Sequence, residues 1–112
     1  MKFNGKVTEI ARKGVSVVFV VDLSGNTELY PKSPRVLRLY MDPPKVDAIA
    51  AAGNMNVKMT LTSSHDIGAA LMVHADCAHP DLSPKMPVDQ TFFLPLSSPP
   101  TIGAVIDVDI TF

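Results

Sequence analysis

Residues 15–23 constrain the fold of this chain more than any other segment. Apolar residues occupy every second position from Val15 to Leu23, and Val18 and Val20 add apolar groups to the opposite face. Period-2 alternation predicts a β-strand. A strand that is apolar on both faces at its centre is typical of the inside of a sandwich or a closed barrel. The sequence therefore predicts a sheet that is covered on both sides at this strand.

The composition predicts a single, mainly β-stranded domain over residues 1–112. Hydrophobic residues make up 46% of the chain, which is enough for one core at this length. Ten prolines and six glycines divide the chain into short elements, because proline lacks an N–H donor and glycine relaxes φ. The formal net charge of -1 gives no overall basic field, and the single cysteine allows no internal disulfide. No apolar run approaches the ~20 residues that cross a bilayer, so we expect a cytoplasmic protein without a membrane partner.

One short helix is predicted at about residues 43–52. Asp42 precedes it and could cap the first N–H groups, two prolines fit its first turn, and alanines propagate it. Gly53 suits the left-handed position that ends many helices. Val46 and Ile49 belong to a narrow apolar stripe that could plug one end of a sheet.

Alternating segments predict further strands on both sides of this helix. Residues 64–77 are ambiguous, because they fit either a strand from Ala69 or a helix capped by Ser64. Gly68 favours the strand, since glycine weakens helices. The inward side of the sheet is expected to be aliphatic around positions 19, 39, 59 and 108. The other predicted strands are residues 3–10, 36–41, 57–62, 91–96 and 103–112, with a short return strand at 27–30 and a loop at 78–89.

The predicted order of elements is three strands, a short helix and then more strands. This order resembles that of the oligonucleotide/oligosaccharide-binding (OB) barrel, in which a helix between the third and fourth strands closes one end. Small Greek-key sandwiches can show the same order. The sequence therefore predicts a mainly β fold, either a small β-barrel with OB-like strand order or a Greek-key sandwich.

Arginine and tyrosine side chains around the third strand are candidate contacts for single-stranded nucleic acid. Proteins that bind single strands combine a cationic groove with aromatic stacking faces. Arg38 and Tyr40 share one strand face at i and i+2, and Tyr30, Lys32 and Arg35 precede them. The alternative is an ordinary outer face on which Tyr40 packs over an arginine stem, and the near-zero net charge favours it.

We predict no catalytic residue, cofactor or metal. One cluster of metal-competent side chains is close together in sequence, namely His65, His74, Asp76, Cys77 and His79. On a strand, His74 and Asp76 share a face while Cys77 points away, so one ion could not easily take all three. The sequence does not decide whether the cluster binds an ion. Asp107 and Asp109 are expected to keep a strand face soluble.

These observations favour a non-enzymatic binding module with single-stranded nucleic acid as its ligand. The alternative is a protein-contact or assembly module that forms homo-oligomers or binds a protein partner, for example a phage or mobile-element accessory protein. Aliphatic strands, the proline-rich loop 78–87 and several methionines suit such contacts. The methionines are Met41, Met55, Met59, Met72 and Met86.

Overall fold

Seven segments of alternating residues form β-strands in the computed structural model, which describes residues 2–83, 89–97 and 100–112. A 3-10 turn, Pro43–Lys45, follows the third strand and leads into helix α1, Val46–Ala52. The strands are β1 (Lys2–Lys13), β2 (Ser16–Asp22), β3 (Val36–Met41), β4 (Asn54–Asp66), β5 (Leu71–Ala78), β6 (Asp89–Leu94) and β7 (Val105–Thr111).

The strands form one sheet in the order β3-β2-β1-β7-β4-β5-β6. Strands β1 to β3 and strands β4 to β6 are two antiparallel meanders. Strand β7 joins the meanders, because it pairs parallel with β1 and antiparallel with β4. The two ends of the sheet approach each other, since the Tyr30 N–H donates to the Phe93 carbonyl at 2.8 Å and Met41 forms a β-bridge with Leu82. The sheet therefore curls into a nearly closed barrel.

The inner side of the barrel holds the hydrophobic core. Every second residue of β2 is buried, which confirms the strand predicted from its alternation. Phe3 of β1 packs edge-on against Phe92 of β6, with ring centroids 5.9 Å apart, so the core links strands that are not neighbours in the sheet. The predicted fold class, a small and mainly β-stranded barrel with one short helix, is confirmed. The four predicted inward positions are at most 2% exposed, namely Phe19, Leu39, Met59 and Val108.

The helical segment lies between β3 and β4, at the predicted residues 43–52. Val46 and Ile49 bury their side chains in the core. Gly53 ends the helix with φ 79°, the left-handed conformation that glycine adopts without strain. The predicted side-chain cap is wrong, because the Asp42 side chain makes no capping hydrogen bond. The backbone carbonyl of Asp42 accepts the Lys45 N–H instead. No helix of the described residues has the length and apolar content needed to cross a bilayer.

Two other segments are decided by the structure in their form, and several strands differ from their predicted bounds by a few residues. The ambiguous segment 64–77 is two strands, because β4 continues to Asp66 and β5 begins at Leu71, so the helical alternative is wrong. Gly68 has φ 94° in the turn between them. The predicted return strand at 27–30 is a turn, held by side chains described below. Residues 84–88, which include Met86 and part of the predicted loop, lie outside the described residues.

Candidate nucleic-acid interface

A groove of about 470 Å³ lies on the outer face of β1, β2 and β3. It exists because these strands turn one set of side chains into the core and the alternate set outward. Strand β2 contributes two half-buried valines to the floor, and β1 and β3 supply the sides. The lining residues are Glu9, Ala11, Ser16, Val18, Val20, Arg38 and Tyr40.

The backbone register arranges six of these residues in two parallel rows across the sheet. In the first row Glu9 pairs with Val20, and Val20 pairs with Arg38. The second row runs parallel to it and consists of Ala11, Val18 and Tyr40. Because neighbouring strands are about 4.8 Å apart, the backbones of Glu9 and Arg38 are roughly 10 Å apart across the valine floor.

A β-bulge places Glu9 in the groove. The register of β1 against β2 shifts between Val7 and Glu9, so that Thr8 is the extra residue. Val7 therefore faces the core side with Val21, while Glu9 faces outward with Val20. Sequence reasoning did not identify Glu9, although the imperfect alternation of residues 3–10 was a signal of the bulge.

The groove presents opposite charges on its two sides. Glu9 on β1 and Arg38 on β3 are both exposed, and Tyr40 is half-buried beside Val18. A guanidinium can donate to phosphate oxygens, a tyrosine ring can stack on a base, and a carboxylate can accept hydrogen bonds from N–H groups. The groove therefore combines an apolar floor with one donor side and one acceptor side.

The other three candidate residues lie in the β2–β3 loop, residues 23–35, and are not among the groove-lining residues. The Arg35 guanidinium donates to the carbonyl oxygens of Ser24 at 3.3 Å, Asn26 at 3.4 Å and Tyr30 at 3.3 Å, so it holds the loop together. Tyr30 is half-buried where the loop meets β6, and Lys32 is exposed. Of the five predicted contact residues, only Arg38 and Tyr40 come together in the groove.

The two aspartates of β7 belong to a ladder of polar side chains on the outer face. Lys2 Nζ lies 2.8 Å from Asp109 Oδ2, and Lys58 Nζ lies 2.6 Å from Asp107 Oδ1. Asn56 Nδ2 donates to Asp109 Oδ1 at 2.7 Å. The hydrogen bond from Lys58 lowers the pKa of Asp107, and those from Lys2 and Asn56 lower the pKa of Asp109. The hydrogen bond to Asp109 in turn raises the pKa of Lys2. Both carboxylates are thus engaged in exposed pairs across β1, β7 and β4.

The cluster of metal-competent residues is spread over β4, both faces of β5 and the residue after β5, because His65 lies on β4 and His79 follows Ala78. Cys77 is buried on the core side, while His74 and Asp76 occupy alternate positions on the other face. His74 Nδ1 lies 3.1 Å from Thr91 Oγ1, and the His65 and His74 ring centroids are 6.1 Å apart. Across the described ranges, no group of three or more His, Cys, Asp or Glu residues is placed to hold a metal ion.

The groove is therefore the concave surface of this barrel that brings predicted contact residues together. Its Arg38 and Tyr40 come from one strand, and its floor and acidic side come from the two neighbouring strands. No protein-family model, no curated protein and no solved structure matches this chain.

Proposed function

We propose that this protein is a non-enzymatic module that binds single-stranded nucleic acid in the groove on β1, β2 and β3. The supporting observation is that Arg38 and Tyr40 lie side by side on β3 and both line the groove. In single-strand binders a cation holds the phosphate backbone, while an aromatic ring stacks on a base of any sequence. Val18 and Val20 add apolar surface on which an unpaired base or sugar can rest.

The lining residues and the charge of the groove favour a single strand over a duplex. Unpaired bases expose the faces that stack on aromatic side chains, whereas a duplex buries them against one another. A duplex binder also depends on several phosphate contacts. Among the side chains that the structure describes, Arg38 is the one cation that lines this groove, and the chain as a whole has a net charge of -1. We therefore expect modest, salt-sensitive affinity, with a dissociation constant on the order of 10⁻⁴ to 10⁻⁶ M.

Fluorescence anisotropy of labelled oligo(dT) of about twelve nucleotides tests the proposal. Wild-type protein should bind at low salt, and the affinity should fall as salt rises. Arg38→Ala should reduce the slope of log K against log salt by about 0.7, the value for one phosphate contact on a single strand. Tyr40→Leu should weaken binding by at least about fivefold through lost stacking, while Tyr40→Phe should retain most of it.

Arg12→Ala is the matched control for the loss of an arginine. Arg12 is exposed at the end of β1, where its Nη2 pairs with Asp47 Oδ1 of α1 at 3.2 Å, and it is not among the groove-lining residues. Its replacement should leave the salt slope close to the wild-type value. Absence of oligo(dT) binding at low salt, or equal losses in Arg12→Ala and Arg38→Ala, would contradict the proposal.

A protein-contact or assembly module is the second candidate function. Large apolar side chains are exposed at strand ends and in turns, including Val15 at 90%, Ile102 at 54% and Ile67 at 49%. Burial of these groups against a second protein chain would remove apolar surface from water and favour association. Light scattering should then give a mass above the 12.0 kDa of one chain, and a strictly monomeric protein would count against homo-oligomeric assembly.

A further inference from the structure

The acidic side of the groove has no role in holding a phosphate backbone. A carboxylate repels phosphate, so Glu9 weakens the binding of any nucleic acid whose phosphate backbone runs close to β1. Arg38 attracts phosphate on the other side of the same cross-strand row. The backbone of a bound strand is therefore expected to follow β3, and its bases are expected to extend over Val20 toward Glu9.

The position of Glu9 then determines which base edge is accepted. An ionised carboxylate is only a hydrogen-bond acceptor, so it needs an N–H donor on the edge of the base that reaches it. Cytosine carries the N4 amino donor, and carboxylates accept from that group in base recognition. Uracil carries the O4 acceptor at the same ring position. Its one Watson–Crick donor, N3–H, lies between the O2 and O4 acceptors, and these two oxygens repel a carboxylate. Because a single strand leaves the Watson–Crick edge of each base unpaired, this edge is available to a side chain.

We infer, on the basis of the proposed function, that Glu9 is a specificity-determining residue that selects bases with an exocyclic amino group, so that cytosine is preferred over uracil. The acidic side of the groove and its basic side thus have separate roles. Arg38 holds the phosphate, Tyr40 stacks on a base, and Glu9 reads the base edge.

Binding of oligo(dC) and oligo(dU) of equal length, measured by anisotropy at pH 8, tests the role of Glu9. The two bases have the same ring size and differ in the groups on the Watson–Crick edge, so stacking and phosphate contacts are matched. Wild-type protein should bind oligo(dC) about fivefold more tightly, as expected for one base-reading contact at the lower end of the usual range. Glu9→Gln should bring this ratio to about one, because an amide both donates and accepts.

Glu9→Gln should also bind oligo(dU) more tightly than wild type does, since it removes a negative charge from the groove. Glu28→Gln is the matched control, because Glu28 is the other glutamate of the chain and is exposed in the β2–β3 loop. Glu28→Gln removes the same charge from the protein and should keep the wild-type preference for oligo(dC).

The outcomes separate the specificity of Glu9 from the binding function itself. Equal affinities of the wild-type protein for the two oligonucleotides would overturn the role of Glu9 and leave nucleic-acid binding supported. A preference that survives in Glu9→Gln would also overturn that role. Failure of both oligonucleotides to bind at low salt would overturn the proposed function and, with it, the specificity.

Discussion

Asn26 is expected to be one of the most sensitive positions for stability, although it is a polar residue in a turn. The residue is only 5% exposed. Nδ2 donates to the carbonyl oxygens of Asn4 and Leu23, each at 2.7 Å, and Oδ1 accepts the Asn4 N–H at 2.7 Å. The amide thus ties the β2–β3 loop to β1, more than 20 residues away in the chain.

The cost of Asn26→Ala follows from these three hydrogen bonds. Each contributes about 1 kcal/mol net, and the Leu23 carbonyl would lose a buried donor, so we expect the free energy of unfolding to fall by about 2–4 kcal/mol. Asn26→Asp keeps the size and the Oδ1 acceptor but places an oxygen against two carbonyl oxygens. It should therefore lose at least about 2 kcal/mol at neutral pH.

Urea denaturation followed by circular dichroism measures these changes directly. The slope of the unfolding free energy against urea concentration should stay close to that of the wild type. The shift in the urea midpoint then reports the change in stability. Asn54→Ala, at an exposed position at the start of β4, is the matched control and should change stability by no more than about 0.5 kcal/mol. A loss below about 1 kcal/mol in both Asn26 variants would refute the structural role assigned to this amide.

Two further predictions concern the sheet. Gly5→Ala should destabilise the fold by about 1–3 kcal/mol in the same urea assay, because a Cβ at this buried position would lie 2.5 Å from Val21 Cγ1. Gly25→Ala, where a Cβ would meet no atom within 4 Å, should have little effect, and equal losses in the two variants would contradict this reasoning. The pKa of Asp107 and of Asp109 is lowered in the folded state, so their stabilisation is present above the ordinary carboxyl pKa of 3.8 and is lost as the pH falls through the lower folded-state value. The urea midpoint should fall as the pH is lowered from 3.8 through the folded-state pKa values of the two aspartates. In Asp109→Asn the midpoint should fall less over this pH range. An unchanged fall in that variant would argue against the ladder of polar side chains on β1, β7 and β4.

Much of the fold could be predicted from local patterns in the sequence. Strand β2 followed from alternation alone, because side chains of a strand point to opposite faces whatever its partners are. The helical segment 43–52 followed from residue types with local effects, namely proline in its first turn, alanine in its body and Gly53 at its end. The prediction that Arg38 and Tyr40 share one outer face followed from their spacing of two residues on a strand.

Other features of the candidate site could not be predicted in this way. Arg35 was grouped with Arg38 because both are arginines near one strand, but its guanidinium is occupied by three loop carbonyls. Those three carbonyls come together through the path of the β2–β3 loop, which the alternation of the flanking strands does not specify. Glu9 was missed because the bulge that turns it outward depends on how β1 pairs with β2.

The sequence by itself determined that the chain is mainly extended, that a helical segment lies at residues 43–52, and which side of a regularly alternating strand such as β2 faces the core. The tertiary structure decided that β7 inserts between β1 and β4, parallel to one and antiparallel to the other. It also decided that an acid and a guanidinium lie on opposite sides of one valine floor. The physical reason is that side-chain alternation is a local property of each strand. The choice of partner and register, in contrast, depends on contacts between residues far apart in the chain.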